Sequence, residues 1–208
     1  MTIRFGIDIG GSGIKGAPVD LDKGELAGNR HRIETPQPAK PRPVMEVAAE
    51  IAAHHGWEGP VGCAFPAIVQ HGVVWSAANV DDDWIGVNGA DLLTEIAGCD
   101  VELLNDADAA GLAEMRYGAG RGRHGVVMTL TFGTGIGSGM FVDGVLVPNT
   151  ELGHLELDGV DAEDGAAARL VERDAMELTE WLPRVDRYLR HLERLFSPDL
   201  FIFGGGIS

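Results

Sequence analysis

The sequence predicts an α/β protein built from two related halves. A strand, a glycine turn and a second strand occur over residues 3–19 and again over residues 126–142. Between and after these hairpins, apolar residues at helical spacing alternate with short β-branched runs, the pattern of a mixed fold. The 208 residues are 45% hydrophobic, enough to fill one large domain or two small ones. The boundary is expected between residues 104 and 120. That gives a small N-terminal domain over 1–104 and a C-terminal domain over 105–208.

Ile3–Ile9 is β-branched and runs into glycines, so it reads as a strand entering a turn, with residues 14–19 as its hairpin partner. A weaker strand is expected over residues 26–33. Residues 35–43 hold four prolines and read as a loop. Val44, Val47, Ala48 and Ile51 recur at helical spacing over residues 44–54. Residues 61–69 are strand-like but interrupted by Pro66. A helix over residues 91–97 and a strand over 101–104 follow. Asn105-Asp106 offers a helix N-cap and Gly118 a stop. A strand over 125–131 leads to the second glycine run, and a hairpin turns at Asp143-Gly144. Trp181, Leu182, Val185, Tyr188, Leu189, Leu192, Leu195 and Phe196 form an apolar helical stripe ended by Ser197-Pro198. A last strand over 200–203 runs into Gly204-Gly205-Gly206.

Lys and Arg number 16 against 32 Asp and Glu, a net charge of −16, so nucleic acid is not an expected partner. A polyanion could bind such a protein only in a local site of backbone amides and a few cations. Cys63 and Cys99 have no metal-binding spacing and read as reduced thiols. No apolar run approaches the roughly 20 residues of a membrane span, and the N-terminus enters a strand directly. A cytoplasmic protein with no membrane partner is expected.

Four constellations carry chemistry. The first is Asp8-Ile9-Gly10-Gly11-Ser12-Gly13-Ile14-Lys15. A tight turn with few side chains points several N–H groups into one concavity that suits phosphate oxygens. Gly10, Gly11, Ser12, Gly13 and Lys15 are the candidate phosphate ligands, and Asp8 is placed to hold Mg²⁺ through water. Alone, this run is equally a glycine hairpin with no ligand. The second, Thr131-Phe132-Gly133-Thr134-Gly135-Ile136-Gly137, repeats the logic, with Gly133, Thr134, Gly135 and Gly137 as candidates. It lacks the following helix of a dinucleotide site. The pair of hairpins points to a phosphoryl donor held at two ends.

The third constellation is Asn105-Asp106 at a helix start. There the macrodipole favours a carboxylate, so Asp106 is expected to be ionised and able to act as a general base. Alone it would be a plain cap, with Asp108 a first-turn charge. The fourth is Glu151-Leu152-Gly153-His154, two polar groups three residues apart that could bind adjacent sugar hydroxyls.

Together these motifs, which span nearly the whole chain, resemble the ROK sugar kinases, and among them the actinobacterial polyphosphate glucokinases and glucomannokinases. The resemblance implies the actin-like ATPase (ribonuclease H-like) fold, duplicated domains with a cleft between them. It implies Asp106 as the base, Asn105, Glu151 and His154 as glucose ligands, and Ala78-Asn79 at the sugar entrance. Gly204, Gly205 and Gly206 correspond to the nucleotide-contacting segment. Most family members carry a zinc-binding cysteine cluster after the Glu-x-Gly-His motif. None follows His154, so zinc is not expected, and the glutamate which that cluster positions has Glu156 and Glu163 as candidate counterparts.

The implied reaction moves the terminal phosphoryl group of polyphosphate or ATP, with Mg²⁺, to the 6-hydroxyl of glucose, with mannose as a second acceptor and a homodimer as the assembly. The alternatives are an ATP-only glucokinase, a sugar-sensing regulator without kinase activity, and an inactive fragment. Regulators carry a DNA-binding segment ahead of the first loop, and here that loop begins at Asp8. The run ends at Ser208, where relatives continue with a helix, so a truncated chain is one expectation. Polyphosphate is the expected better donor. It needs no base pocket, and Arg116, Arg121, Arg123 and His124 form a local basic strip, which could equally be a solvated loop.

Overall fold

In the computed structural model of the chain, which describes residues 1–78 and 80–206, each predicted hairpin starts a sheet of its own. The chain divides into two compact units, Met1–Ala109 and Ala110–Ser208.

The first unit runs β1 (Ile3–Ile9), β2 (Ile14–Asp20), β3 (Glu25–Leu26), β4 (His31–Ile33), α1 (Pro41–His54), β5 (Val61–Phe65), β6 (Val69–Gln70), β7 (Val73–Val74), α2 (Gly89–Ala97) and β8 (Val101–Asn105), then enters α3 (Asp106–Tyr117). β1 and β2 are antiparallel, with Asp8 opposite Lys15. β5 lies parallel to β1, and β8 parallel to β5. The sheet order is β3-β2-β1-β5-β8, with β4 also on β2. Two short pieces, β3 and β4, stand where one weak strand was expected. The expected proline loop is shorter than residues 35–43, because α1 starts at Pro41. Pro41 and Pro43 fall in the first turn, where the missing N–H has no partner to lose.

Val44, Met45, Ala48, Ile51 and Ala52 of α1 are buried against Phe5, Ile7 and Ile9 of β1 in one apolar cluster. Burying the larger of these side chains, the Val, Met, Ile and Phe, stabilises by about 1.5–3 kcal/mol each. Phe65 and Trp84 pack with ring centroids 4.5 Å apart at its other end.

The second unit contains β9 (Val126–Phe132), β10 (Ile136–Val142), β11 (Val145–Val147), a 3-10 turn at Leu152–His154, β12 (Glu156–Leu157), β13 (Val160–Asp161), α4 (Ala162–Ala166), α5 (Arg169–Glu172), α6 (Leu178–Phe196) and β14 (Leu200–Gly205). Its sheet order is β11-β10-β9-β14. An antiparallel hairpin plus a parallel third strand thus occurs twice, as β2-β1-β5 and as β10-β9-β14. Trp181, Val185, Tyr188 and Leu192 of α6 are buried with Met128, Leu130 and Phe132 of β9. Leu182 and Leu195 break the expected stripe, at 55% and 53% exposed. Leu182 lies off the i, i+4, i+7, i+11 face that the buried four define, whereas Leu195 continues that face at i+14 and is exposed in the last turn of the helix.

Cys63 and Cys99 are both free thiols. No helix among the described residues is long and apolar enough to cross a membrane.

Candidate active site

The first glycine loop is a braced turn. Gly10 donates its N–H to the Gly13 carbonyl at 3.1 Å. Three side chains from the segment after β2 hold the other carbonyls. Thr35 Oγ1 donates to Gly10 O at 2.5 Å, Gln37 Nε2 to Gly11 O at 3.3 Å, and Arg32 Nη2 to Ser12 O at 2.8 Å. With the carbonyls occupied, the N–H groups of Gly11, Ser12 and Gly13 have no protein acceptor among the described residues. That is the arrangement an oxyanion needs. A Cβ at residue 13 would stand 2.6 Å from Arg32 Nε, so glycine there admits the arginine brace.

The second loop uses the same device. Gly133 donates to Gly135 O at 3.0 Å, and the Arg169 backbone N–H donates to Gly133 O at 3.0 Å. The Arg169 guanidinium donates to Thr134 O and reaches Asp164 Oδ1 at 2.6 Å. Glu163 Oε2 accepts the Ile136 N–H at 3.1 Å. Thr134 and Gly135 keep N–H groups with no protein acceptor among the described residues, and Gly137 lies within β10. Gly204 and Gly205 pair in parallel with Thr131 and Phe132, the residues that lead into this loop. Gly205 has φ 106°, and a Cβ there would stand 2.1 Å from Phe132 O. Gly206 follows directly.

Asn105 and Asp106 divide the helix start between them. Asn105 is the cap, with Oδ1 accepting the Asp108 N–H at 3.0 Å while Nδ2 donates to Ala67 O at 3.0 Å. Asp106 is the first residue of α3, and its Oδ1 accepts the Ala107 N–H at 2.8 Å. The pKa of Asp106 is raised, first by burial and then by the charge of Asp8, against the lowering effect of the Ala107 N–H. The residue as a whole is exposed, and the shift arises because desolvation by the groups packed round its carboxyl outweighs the Ala107 hydrogen bond. Asp108 is not a surface charge in the first turn; it is fully buried. Lys15 Nζ lies 3.4 Å from Asp8 Oδ2 in an exposed pair. Asn79 lies outside the described residues. Further along the chain, Asp81 caps a short 3-10 turn and Trp84 is buried.

Glu151 and His154 bracket the 3-10 turn of the second unit, and the Glu151 carbonyl accepts the His154 N–H at 3.1 Å. The turn is clamped on both sides. Leu152 N–H donates to Ser138 Oγ at 3.0 Å, and Tyr188 OH donates to Leu152 O at 3.1 Å. A Cβ at Gly153 would stand 2.4 Å from Ile136 O, so only glycine lets the turn lie against β10. His154 Nδ1 is 2.8 Å from Asp161 Oδ2. That contact and burial oppose one another in the imidazole. The Asp161 hydrogen bond is the larger and raises its pKa, helped by Glu163 and Glu151. Of the two candidate glutamates, Glu163 points at the second loop, whereas Glu156 is exposed on β12. Among the described residues no group of three or more His, Cys, Asp or Glu side chains is arranged to hold a metal.

Arg116, Arg121, Arg123 and His124 are all exposed. Carboxylates are interleaved with them. Glu114 accepts the Ala119 N–H at 3.1 Å, Asp199 accepts the Val126 N–H at 2.8 Å, and His124 lies 3.9 Å from Asp143. Arg121 and Arg123 make no ion pair among the described residues.

The family model described as ROK family matches residues 4–169. This chain belongs to the ROK family. It is 54% identical over 205 residues to the polyphosphate glucokinase of Mycobacterium tuberculosis (strain ATCC 25618 / H37Rv), covering 98% of this chain and 77% of that protein. The crystal structure of the inorganic polyphosphate/ATP-glucomannokinase from Arthrobacter sp. strain KM superposes with a TM-score of 0.93 at 54% identity. It covers 100% of this chain and 85% of that one. A ROK family glucokinase from Streptomyces griseus, solved in complex with glucose and AMPPNP, shares the fold, with a TM-score of 0.81 at 24% identity over 99% of this chain and 84% of that one. The chain has the mixed α/β, actin-like ATPase fold of the ROK sugar kinases.

Several residues that shape these sites were given no site role from the sequence: Arg32, Thr35, Gln37, Ser138, Asp161, Arg169 and Tyr188, the last read only as part of an apolar stripe. Asp161 had a signal. Asp158-Gly159 between Leu157 and Val160 marks a tight hairpin, which returns the chain toward His154.

Proposed function

We infer that this chain is a polyphosphate-dependent glucokinase, transferring the terminal phosphoryl group of inorganic polyphosphate to the 6-hydroxyl of glucose. The carrying observation is 54% identity to a polyphosphate glucokinase over 98% of the chain. The two braced loops with unoccupied amides support it, since they suit a donor that is phosphate throughout. ATP is a second donor and mannose a second acceptor in this reading, in line with the Arthrobacter enzyme's description.

In the reaction, Asp106 accepts the proton of the sugar 6-hydroxyl as its oxygen attacks the terminal phosphorus. The bond to the bridging oxygen breaks, and the shortened polyphosphate leaves with the electron pair. Burial and Asp8 make Asp106 a stronger base than an ordinary carboxylate. Asn105, Glu151, His154 and Asn79 are the sugar-binding residues in this reading. The free amides of Gly11, Ser12, Gly13, Thr134 and Gly135 take up charge on the phosphates. Gly204, Gly205 and Gly206, beside the second loop, serve the nucleotide when ATP is the donor.

Asp8 is an exposed carboxylate within electrostatic reach of Asp106. One or two carboxylates, with water and substrate phosphates, is the oxygen donor set that suits Mg²⁺. Asp8 would hold the ion through water, and the ion would neutralise phosphate charge during transfer. The protein is read as cytoplasmic and homodimeric, the latter checked by light scattering.

The test is glucose 6-phosphate formation by purified protein with polyphosphate and with ATP at matched phosphate concentration. Activity with polyphosphate at least equal to that with ATP is expected. Robust ATP activity with none on polyphosphate would sink the reading.

A further inference from the structure

His154 sits on a turn whose backbone is already fixed by Ser138 and Tyr188. What remains free is the orientation of its ring and the choice of which nitrogen carries the proton. Asp161 Oδ2 lies 2.8 Å from Nδ1, and a carboxylate only accepts, so Nδ1 is the protonated nitrogen. The His154 and Asp161 side chains are 50% and 47% exposed, so the pair stands at the surface of its unit.

A second observation is independent of that distance. Asp161 is the N-cap residue of α4, yet its side chain makes no cap hydrogen bond. An aspartate in that position ordinarily accepts an N–H of the helix it precedes. Here it turns to the histidine instead. The hairpin that delivers it is built for the purpose. Asp158 and Gly159 have φ 60° and 82°, the two positive values of a type I′ turn, and they set Asp161 opposite Glu156, two residues beyond His154. The hairpin tip is tied down by the pairing of Asp158 with Arg187 of α6.

We propose that Asp161 is a positioning residue of the sugar site, holding His154 through Nδ1 so that Nε2 is presented to the acceptor sugar. This rests on reading His154 as a sugar ligand. A carboxylate behind an imidazole fixes both tautomer and ring plane. The other charged groups around the ring are Glu151 at the head of the turn and Glu163 on α4. Both are carboxylates, and both raise the pKa of the imidazole together with Asp161.

The test uses the full chain and the variants Asp161→Ala, Asp161→Asn and His154→Ala, checked for folding by circular dichroism. Nitrogen-15 NMR of wild type, with His154 assigned by comparison with His154→Ala, is expected to show a protonated Nδ1 at neutral pH. Asp161→Ala should lose that state and raise the glucose KM about tenfold, with the donor KM unchanged. Asp161→Asn, whose amide oxygen still accepts, should keep the tautomer and most of the glucose affinity while lowering the titration midpoint. In the His154→Ala background, Asp161→Ala should add nothing to the glucose KM. An unprotonated Nδ1 in wild type, or an equal KM increase from Asp161→Ala without His154, would overturn the positioning role. A glucose KM unchanged by His154→Ala, with Nδ1 still protonated, would instead overturn the sugar reading of His154 and with it the purpose assigned to Asp161.

Discussion

Asp8 and Asp106 stand at the same end of the first sheet, and the charge of one raises the pKa of the other. Asp8 is level with Ala64 of β5, and Ala64 is level with Leu104 of β8, two residues before Asp106. Burial contributes most of the shift and Asp8 adds to it. A raised carboxylate accepts a proton more readily, but it must still be ionised when substrate arrives. The rate should therefore fall as pH drops through the Asp106 pKa.

Asp8→Asn removes the repulsion, so the acidic limb of the kcat/KM profile for glucose should move to lower pH. The overall rate should also fall, because the group read as holding Mg²⁺ is lost. A pH–rate profile separates the two effects. An acidic limb that stays in place or moves to higher pH would remove Asp8 from this role.

Arg169→Ala should loosen the second phosphate loop. The variant loses the guanidinium bonds to the Thr134 carbonyl and Asp164, though the backbone bond to Gly133 survives. One lost charge-assisted bond is worth about 1.5–3 kcal/mol, so donor KM should rise roughly tenfold or more while glucose KM changes little. Arg169→Lys should rescue poorly, since an ammonium cannot bond both partners in the same fork geometry. Steady-state kinetics with each donor checks this, and an unchanged donor KM would contradict it.

Arg121 and Arg123 are the exposed cations of the turn after α3 without an ion pair among the described residues. Replacing both with Ala should weaken polyphosphate use more than ATP use, and the salt sensitivity of polyphosphate use should shrink. Equal effects on both donors, or none, would make the strip an ordinary solvated loop.

Histidines at the end of α1 should make the first unit sensitive to acid. His31 and His54 stack with centroids 3.9 Å apart, and His55 lies 5.3 Å from His54. The His55 pKa is lowered from 6.5, first by burial and then by His54 and His31. A base with a lowered folded pKa binds fewer protons folded than unfolded. Its contribution is therefore lost as pH falls below about 6.5. His154, whose pKa is raised, works in the opposite direction and loses its contribution as pH rises through its folded value. Between about pH 7.5 and about pH 5.5 the two histidines pull the melting temperature in opposite directions, so His55→Gln should change the slope of melting temperature against pH in the sense of greater stability at the acid end relative to wild type. An unaltered slope in the variant would contradict the assignment.

The glycine loops, the Asn105-Asp106 helix start and the Asp143-Gly144 hairpin were legible because turn and cap chemistry is local. A few adjacent residues decide each of them. The braces were not legible. Arg32 meets Ser12, and Arg169 meets Thr134, only because β4 and α5 return to loops 20 and 35 residues away. No spacing rule marks an arginine whose partner is a distant carbonyl. The upward shift of the Asp106 pKa was not legible for a related reason. The dipole of a helix start can be read from order along the chain, whereas burial depends on what the fold packs around it. The expected stripe on α6 was too broad because periodicity marks apolar residues, not which of them the sheet covers.

The assignment of Asp106 as the base is tested most directly by the turnover of Asp106→Asn with polyphosphate and glucose. The variant keeps the shape of the side chain and removes its ability to take a proton. Turnover should fall roughly 100- to 10,000-fold, with the thermal melt and glucose binding close to wild type. Near wild-type turnover in a folded Asp106→Asn enzyme would contradict the account.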